Sequence, residues 1–154
     1  MTTLRLLNAA AVRELLPMAD CIRLMRRAFE MVATGEAIQP VRQAVRHPDG
    51  RGLVGWMPGY TTDPEWFGVK VMSVYPANFG TALGSHQGMV LLFEAAHGEP
   101  VAILDGREIT AIRTAAATAA AADGARALPV TPSPSPADSA RPPVQPAVQP
   151  APGG

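Results

Sequence analysis

The sequence predicts an α/β fold: two N-terminal helices, a mostly antiparallel sheet of about five to six strands, and an alanine-rich helix. Three observations lead there. Apolar residues recur at helical spacing as far as Gly35, and from Gln39 the spacing changes to two, the period of a strand. Turn-forming groups such as Pro48-Asp-Gly50 and Pro58-Gly59 cut the period-two region into hairpin-sized pieces. Residues 109–122 are then dominated by alanine, the residue with the highest helix propensity.

Taken in order, Asn8 caps a short helix over residues 9–16, which Pro17 ends. A second helix covers 19–34, with Ile22, Met25, Phe29 and Val32 on one side and Arg23, Arg26, Arg27 and Glu30 on the other; Gly35 stops it. Cys21, inside that helical pattern, reads as core rather than as a nucleophile. Val41, Gln43 and Val45 alternate with Arg42, Ala44 and Arg46; Pro48-Asp-Gly50 turns the chain, and Leu53 to Met57 returns as a strand that Pro58-Gly59 stops. Phe67 to Tyr75 forms the third strand. Its alternation places Phe67, Val69, Val71, Ser73 and Tyr75 on one face and Gly68, Lys70, Met72 and Val74 on the other. A loop over 76–84 leads to apolar strands at 89–93 and 101–104, joined through His97-Gly98; their near-continuous apolar character predicts burial on both faces.

The balance of 13 Lys+Arg against 13 Asp+Glu gives no electrostatic footprint for nucleic acid. No apolar run approaches the ~20 residues needed to span a bilayer, and the N-terminus lacks the basic-then-apolar order of a signal peptide. One cysteine cannot form an intramolecular disulfide, which suits the cytoplasm. The three histidines show no spacing for a metal cluster. From Pro129 onward the chain carries nine prolines, no aromatic residue and no apolar period, so residues 128–154 are expected to be a disordered Pro/Ala-rich tail beside a domain at 1–127.

Two positions carry candidate chemistry. Lys70 is the only lysine among 13 Lys+Arg, set in an apolar strand. A lysine offers a compact ammonium whose acidity changes with burial, where arginine offers a flat, permanently charged fork. Arg113 and Thr114 lie near the start of the alanine-rich helix, where a guanidinium, a hydroxyl and the positive helix end could together hold an anion. Each also has a plainer reading. Lys70 could lie with its stem along the sheet, and Arg113 could be a solvated surface cation.

Gln39-Pro-Val-Arg42, Gly55-Trp-Met-Pro58, Gly68-Val-Lys-Val71, Ser85-His-Gln-Gly88, Leu104-Asp-Gly106 and Ile109-Thr-Ala-Ile-Arg-Thr-Ala-Ala116 occur in an order and spacing that resemble the ornithine cyclodeaminase/mu-crystallin family. The resemblance covers residues 5–122. It implies the substrate-binding and dimerisation half of an enzyme that uses NAD or NADP on small amino or imino acids, working as a homodimer, with no nucleic acid or membrane partner. By resemblance, Arg42, Lys70 and Arg113 contact the substrate, with Arg46 a second candidate beside Arg42. Ser85, Gln87, Arg113 and Thr114 approach the cofactor.

Two departures stand out. Gly55 and Trp56 occupy the place where ornithine cyclodeaminases carry an acidic residue before the Met-Pro pair, so the pattern lies closer to the mu-crystallin branch. The Rossmann domain is missing: no Gly-x-Gly-x-x-(Ala/Gly) turn follows the alanine-rich helix, and no later acidic catalytic residue follows either. Arginine and alanine richness points to a GC-rich coding sequence whose other frames also yield Pro, Ala, Arg and Gly. A frameshift or premature end is therefore the expected origin of the tail, and this chain alone is expected not to bind the cofactor stably or to turn over. The alternative reading is a non-catalytic dimerisation or ligand-binding module.

Overall fold

A computed structural model describes residues 3–127; the tail expected at 128–154 lies outside the described residues. The class is the expected α/β. The elements run β1 (Arg5–Leu7), α1 (Ala9–Leu15), α2 (Met18–Thr34), β2 (Ala37–Ile38), β3 (Gln43–Arg46), β4 (Leu53–Thr62), β5 (Glu65–Val74), β6 (His86–Glu94), β7 (Pro100–Asp105) and α3 (Gly106–Ala127). Among the described residues, no helix is long and apolar enough to cross a membrane.

The strands form one sheet in the order β1-β7-β6-β5-β4-β2, with β3 also on β4. All pairings are antiparallel except β1 on β7, which is parallel. The sheet has seven strands rather than five to six. The additional two are β1 and β2, of three and two residues, too short to print a period in the sequence.

Local chemistry explains most boundaries. Asn8 Oδ1 accepts the Ala11 N–H at 3.0 Å and starts α1. Gly35 takes φ +82° and ends α2, a left-handed conformation that costs other residues free energy. His47 and Gly52 pair across the β3–β4 turn, with Gly50 at φ +77°. The β6–β7 turn is held by Glu94, whose carboxylate accepts the N–H groups of Ala96, His97 and Glu99 at 2.9, 2.8 and 3.1 Å. Those bonds favour the ionised form and hold the Glu94 carboxyl below its ordinary value.

Three expectations are corrected. Pro58-Gly59 does not stop β4, which continues to Thr62. Pro58 falls between the segment of β4 that pairs with β3 (through Trp56) and the segment that pairs with β2 (from Tyr60), so no neighbour on that edge needs the N–H it lacks. The apolar stripe of α2 is only half on the buried face: Ile22 and Met25 are half-buried beside buried Cys21 and Met31, whereas Phe29 and Val32 are 46% and 51% exposed. α2 packs on α3, whose buried positions are Ala116 and Ala120. Close approach to that alanine face suits the small Cys21 and Ala28. Third, β6 and β7 are not buried on both faces. α1 and α3 lie on the sheet, yet Val45, Val54, Phe67 and Met89, which share one face by register, all remain exposed.

Burial pushes the Cys21 thiol above its ordinary value, so it is protonated core and not a nucleophile.

Candidate functional site

The site grows from the middle of β5. Lys70 pairs with Met57 on β4 and with Val90 on β6, and Val90 pairs with Leu104 on β7. Opposed residues share a face, so Lys70 stands in an apolar row. Met72, two residues on, is buried on the same face. α3 contacts β5, β6 and β7, and its Thr110 meets both side chains: the hydroxyl lies 3.5 Å from Lys70 Nζ and 3.8 Å from Met72 Sδ.

The electrostatics are unusual for a strand lysine. Among the described residues, no carboxylate oxygen lies within 4 Å of Nζ. Loss of solvent lowers the Lys70 amine below its ordinary value; the Arg113 and Arg42 guanidinium groups add smaller effects of the same sign. Cations from three separate segments thus act on one another: Arg42 ahead of β3, Lys70 in β5 and Arg113 in α3. No buried polar side-chain atom lacks a partner among the described residues, and no His, Cys, Asp or Glu group there is arranged for a metal.

A lowered amine is a stability statement. In the unfolded chain Lys70 holds its proton to about pH 10.5; in the folded chain it releases it sooner. Between those two values the unfolded state binds more protons, so raising the pH favours folding. Below the folded value Lys70 is charged in both states and its desolvation works against the fold. We expect Lys70→Met to melt at a higher temperature than the parent at pH 7. The gap should shrink as the pH rises toward 10.5 and stay level above it. A lower melting temperature at pH 7 would contradict this, and scanning calorimetry at several pH values reads it.

The start of α3 fixes where Thr110 and Arg113 stand. Asp105 Oδ1 accepts the Glu108 N–H at 2.7 Å, an N-terminal cap. Glu108 in turn holds Arg13 of α1 at 2.8 Å. Gly106 lets the helix begin against β6: a Cβ there would meet Met89 N at 2.6 Å and Gly88 C at 2.7 Å. Gly88 is tighter still, with Val71 O 2.2 Å from a Cβ position. These two glycines set the distance between α3 and the lysine strand.

The remaining predicted residues are spread. α3 begins at Gly106 and not near residue 109, so Arg113 and Thr114 stand two turns inside it. The helix-end charge fades within the first turn and does not assist them as expected; Asp105 already occupies that end. Both are exposed and adjacent. Ser85 precedes β6, its Oγ 2.9 Å from His86 Nδ1 and its carbonyl bound by Tyr75 N–H. Gln87 pairs with Ser73, which places it on the face opposite Lys70 by register. Arg46 pairs with Leu53 at the far end of β3 from Arg42. Sequence reasoning missed Thr110, Asp105 and the Arg13–Glu108 bond. The signal for Asp105 was present as Asp105-Gly-Arg-Glu108, a polar cap with glutamate three residues on.

A model of the ornithine cyclodeaminase/mu-crystallin family matches residues 3–124. Mouse (Mus musculus) ketimine reductase mu-crystallin is 41% identical over 93 residues, which are 60% of this chain and 30% of that protein. Among solved structures, the Δ1-pyrroline-2-carboxylate reductase of Thermococcus litoralis, in complex with NADH and L-proline, superposes with TM-score 0.70 at 35% identity, covering 74% of this chain and 35% of that one. An archaeal alanine dehydrogenase dimer with bound NAD superposes with TM-score 0.67 at 25% identity, over 73% of this chain and 34% of that one. The chain spans about a third of the length of the relatives it matches.

Proposed function

The chain belongs to the ornithine cyclodeaminase/mu-crystallin family, and on that premise we propose that residues 3–124 are the substrate-holding part of an NAD(P)-dependent enzyme acting on a small amino or imino acid. One observation carries the reading. A half-buried lysine has no carboxylate partner among the described residues and shares its surroundings with two guanidinium groups. Such a cluster is relieved by an anion, and a substrate carboxylate is one.

In this reading Arg113, with Arg42, donates to the carboxylate in a forked, paired contact. Lys70 then faces the carbon–nitrogen or carbon–oxygen unit next to that carboxylate. Its ammonium donates a hydrogen bond to the nitrogen or oxygen as charge changes there, and its apolar row limits water. The nicotinamide cofactor, when bound, supplies or takes up the hydride. Arg113 and Thr114, adjacent and exposed on α3, suit a cofactor phosphate, and Ser85 is a further donor. Gln87 is a candidate only where the cofactor reaches the opposite face. The single buried thiol suits a reducing cytoplasm.

The test is a chimera in which residues 3–124 replace the matching segment of the Thermococcus litoralis reductase. NADH oxidation with a cyclic imino acid or a small keto acid plus ammonia is the expected result. A folded chimera that binds NADH and turns over none of these would overturn the assignment.

A second reading, a dimerisation or ligand-binding module, draws on the open sheet face. Val45, Val54, Phe67 and Met89 form an apolar surface of the kind that marks an interface. We place a homodimer there, in line with the archaeal alanine dehydrogenase dimer. Met89→Lys would set a charge on it; the expected outcome in sedimentation equilibrium is a shift from dimer to monomer. An unaltered dimer would place the interface elsewhere.

A further inference from the structure

Thr110 has no role in the reading above, yet it is the only polar side chain among the described residues recorded within hydrogen-bonding distance of Lys70 Nζ. Its hydroxyl lies 2.6 Å from the Gly106 carbonyl oxygen, one helical turn back. That bond takes the hydroxyl proton and, together with β-branching, restricts the side-chain rotamer. Buried Met72 packs against the same oxygen at 3.8 Å. What remains is a lone pair in a fixed place, 3.5 Å from the lysine nitrogen. At the long end of the hydrogen-bonding range it does not trap the amine. An ammonium has three donors, so two stay free for a ligand.

We propose that Thr110 is a positioning residue for Lys70: its hydroxyl, anchored to the Gly106 carbonyl, turns a lone pair toward the ammonium and sets where the remaining protons point. The catalytic meaning of this rests on the reading that Lys70 meets the substrate; the contact itself does not. The arrangement also explains why the helix must begin so close to β6. The carbonyl that anchors Thr110 belongs to Gly106, which sits against the backbone of Gly88 and Met89. Sheet, helix start, hydroxyl and amine are therefore linked through consecutive short contacts.

Because Lys70 is the only lysine, 13C-lysine labelling of the 154-residue chain yields a single side-chain set, whose Cε shift follows the amine through its titration. The charged groups acting on it are Arg42 and Arg113, and all variants retain them. Thr110→Val keeps the shape and removes the acceptor. The ammonium loses a partner, so the midpoint should fall by about half a pH unit. Thr110→Ser should return it toward the parent value. A midpoint unchanged in Thr110→Val overturns the proposal. So does a serine variant that titrates with valine, because packing and not the hydroxyl would then set the amine. If Thr110→Val gives no dispersed amide spectrum, Thr110→Ala against Thr110→Ser makes the same comparison. Adding L-proline or pyruvate to the parent tests the substrate reading on the same signal. A silent Lys70 resonance with a shifted Thr110→Val midpoint would remove the substrate role and leave the positioning contact standing.

Discussion

Gly88→Ala yields no stably folded protein. A methyl group there would sit 2.2 Å from the Val71 carbonyl oxygen and 2.9 Å from Met72 Cα and Cγ. Two of these atoms are backbone in the strand that pairs with β6, so no rotamer change relieves the contact. The strands must separate at the Met72–Gly88 pair, next to the lysine. Overpacking a core commonly costs about 1–3 kcal/mol and occasionally more. A rigid clash this short belongs at the upper end, about 4 kcal/mol or beyond, a large share of the ~5–15 kcal/mol that holds a domain together. Gly106→Ala meets backbone at 2.6 Å and should be almost as damaging. Gly124→Ala is the control: nothing lies within 4 Å of its Cβ position and its φ is not positive. In the helix it should add roughly 0.5–1 kcal/mol of stability. Urea unfolding followed by circular dichroism separates the three. A Gly88→Ala protein with a parent-like midpoint would mean that β5 and β6 do not approach as described, and a parent-like Gly106→Ala would mean the same of α3 and β6.

Arg113→Lys and Lys70→Arg, each in the chimera, should both lower kcat/KM by roughly 10- to 150-fold. That factor corresponds to about 1.5–3 kcal/mol, the worth of a hydrogen bond to a charged group. The two exchanges keep the charge and fail for opposite reasons. Lysine at 113 gives a carboxylate one point of contact where a fork gives two. Arginine at 70 puts a broad planar group into a row built by Met57, Val90 and Leu104, facing Thr110. If both were ordinary surface cations, either swap would change little, under about 1 kcal/mol. Parent-like kinetics for both would return them to scaffold.

The face of Lys70 was legible because a strand alternates strictly: counting from Val69 placed Lys70 with Met72, and the register agrees. The helix caps at Asn8 and Gly35 and the turn at Gly50 were legible because each depends on one residue's own chemistry. The face of α2 was legible only in its first half, at Ile22 and Met25. Its own sequence offers Phe29 and Val32 as a greasy stripe, and only the flat alanine surface of α3 selects the neighbouring one. Pro58 misled because its missing N–H matters only when a neighbour needs it, and the neighbours are β2 and β3, which leave it between them. Thr110 was hidden among alanines. Its partner lies 40 residues earlier, and no local rule joins the two.

The parallel pairing of β1 with β7 has a consequence for how the chain reaches this state. Arg5 waits for Ala102, Arg13 for Glu108 and Arg26 for Asp123, separations of nearly a hundred residues. At ~5–20 residues per second on the ribosome, the first helices emerge about 5–20 s before the strand and helix that receive them. The meander from β3 to β6 needs only neighbours and can assemble meanwhile. Folding should therefore run from the middle outward, with β1, α1 and α2 docking last. In pulse-labelled hydrogen exchange, amides of Val69, Val71 and Leu91 should be protected ahead of those of Val12 and Met25. Until α3 arrives, Cys21 and Met31 have no shelter, and that interval is when the chain is most open to a chaperone or to another unfinished copy of itself.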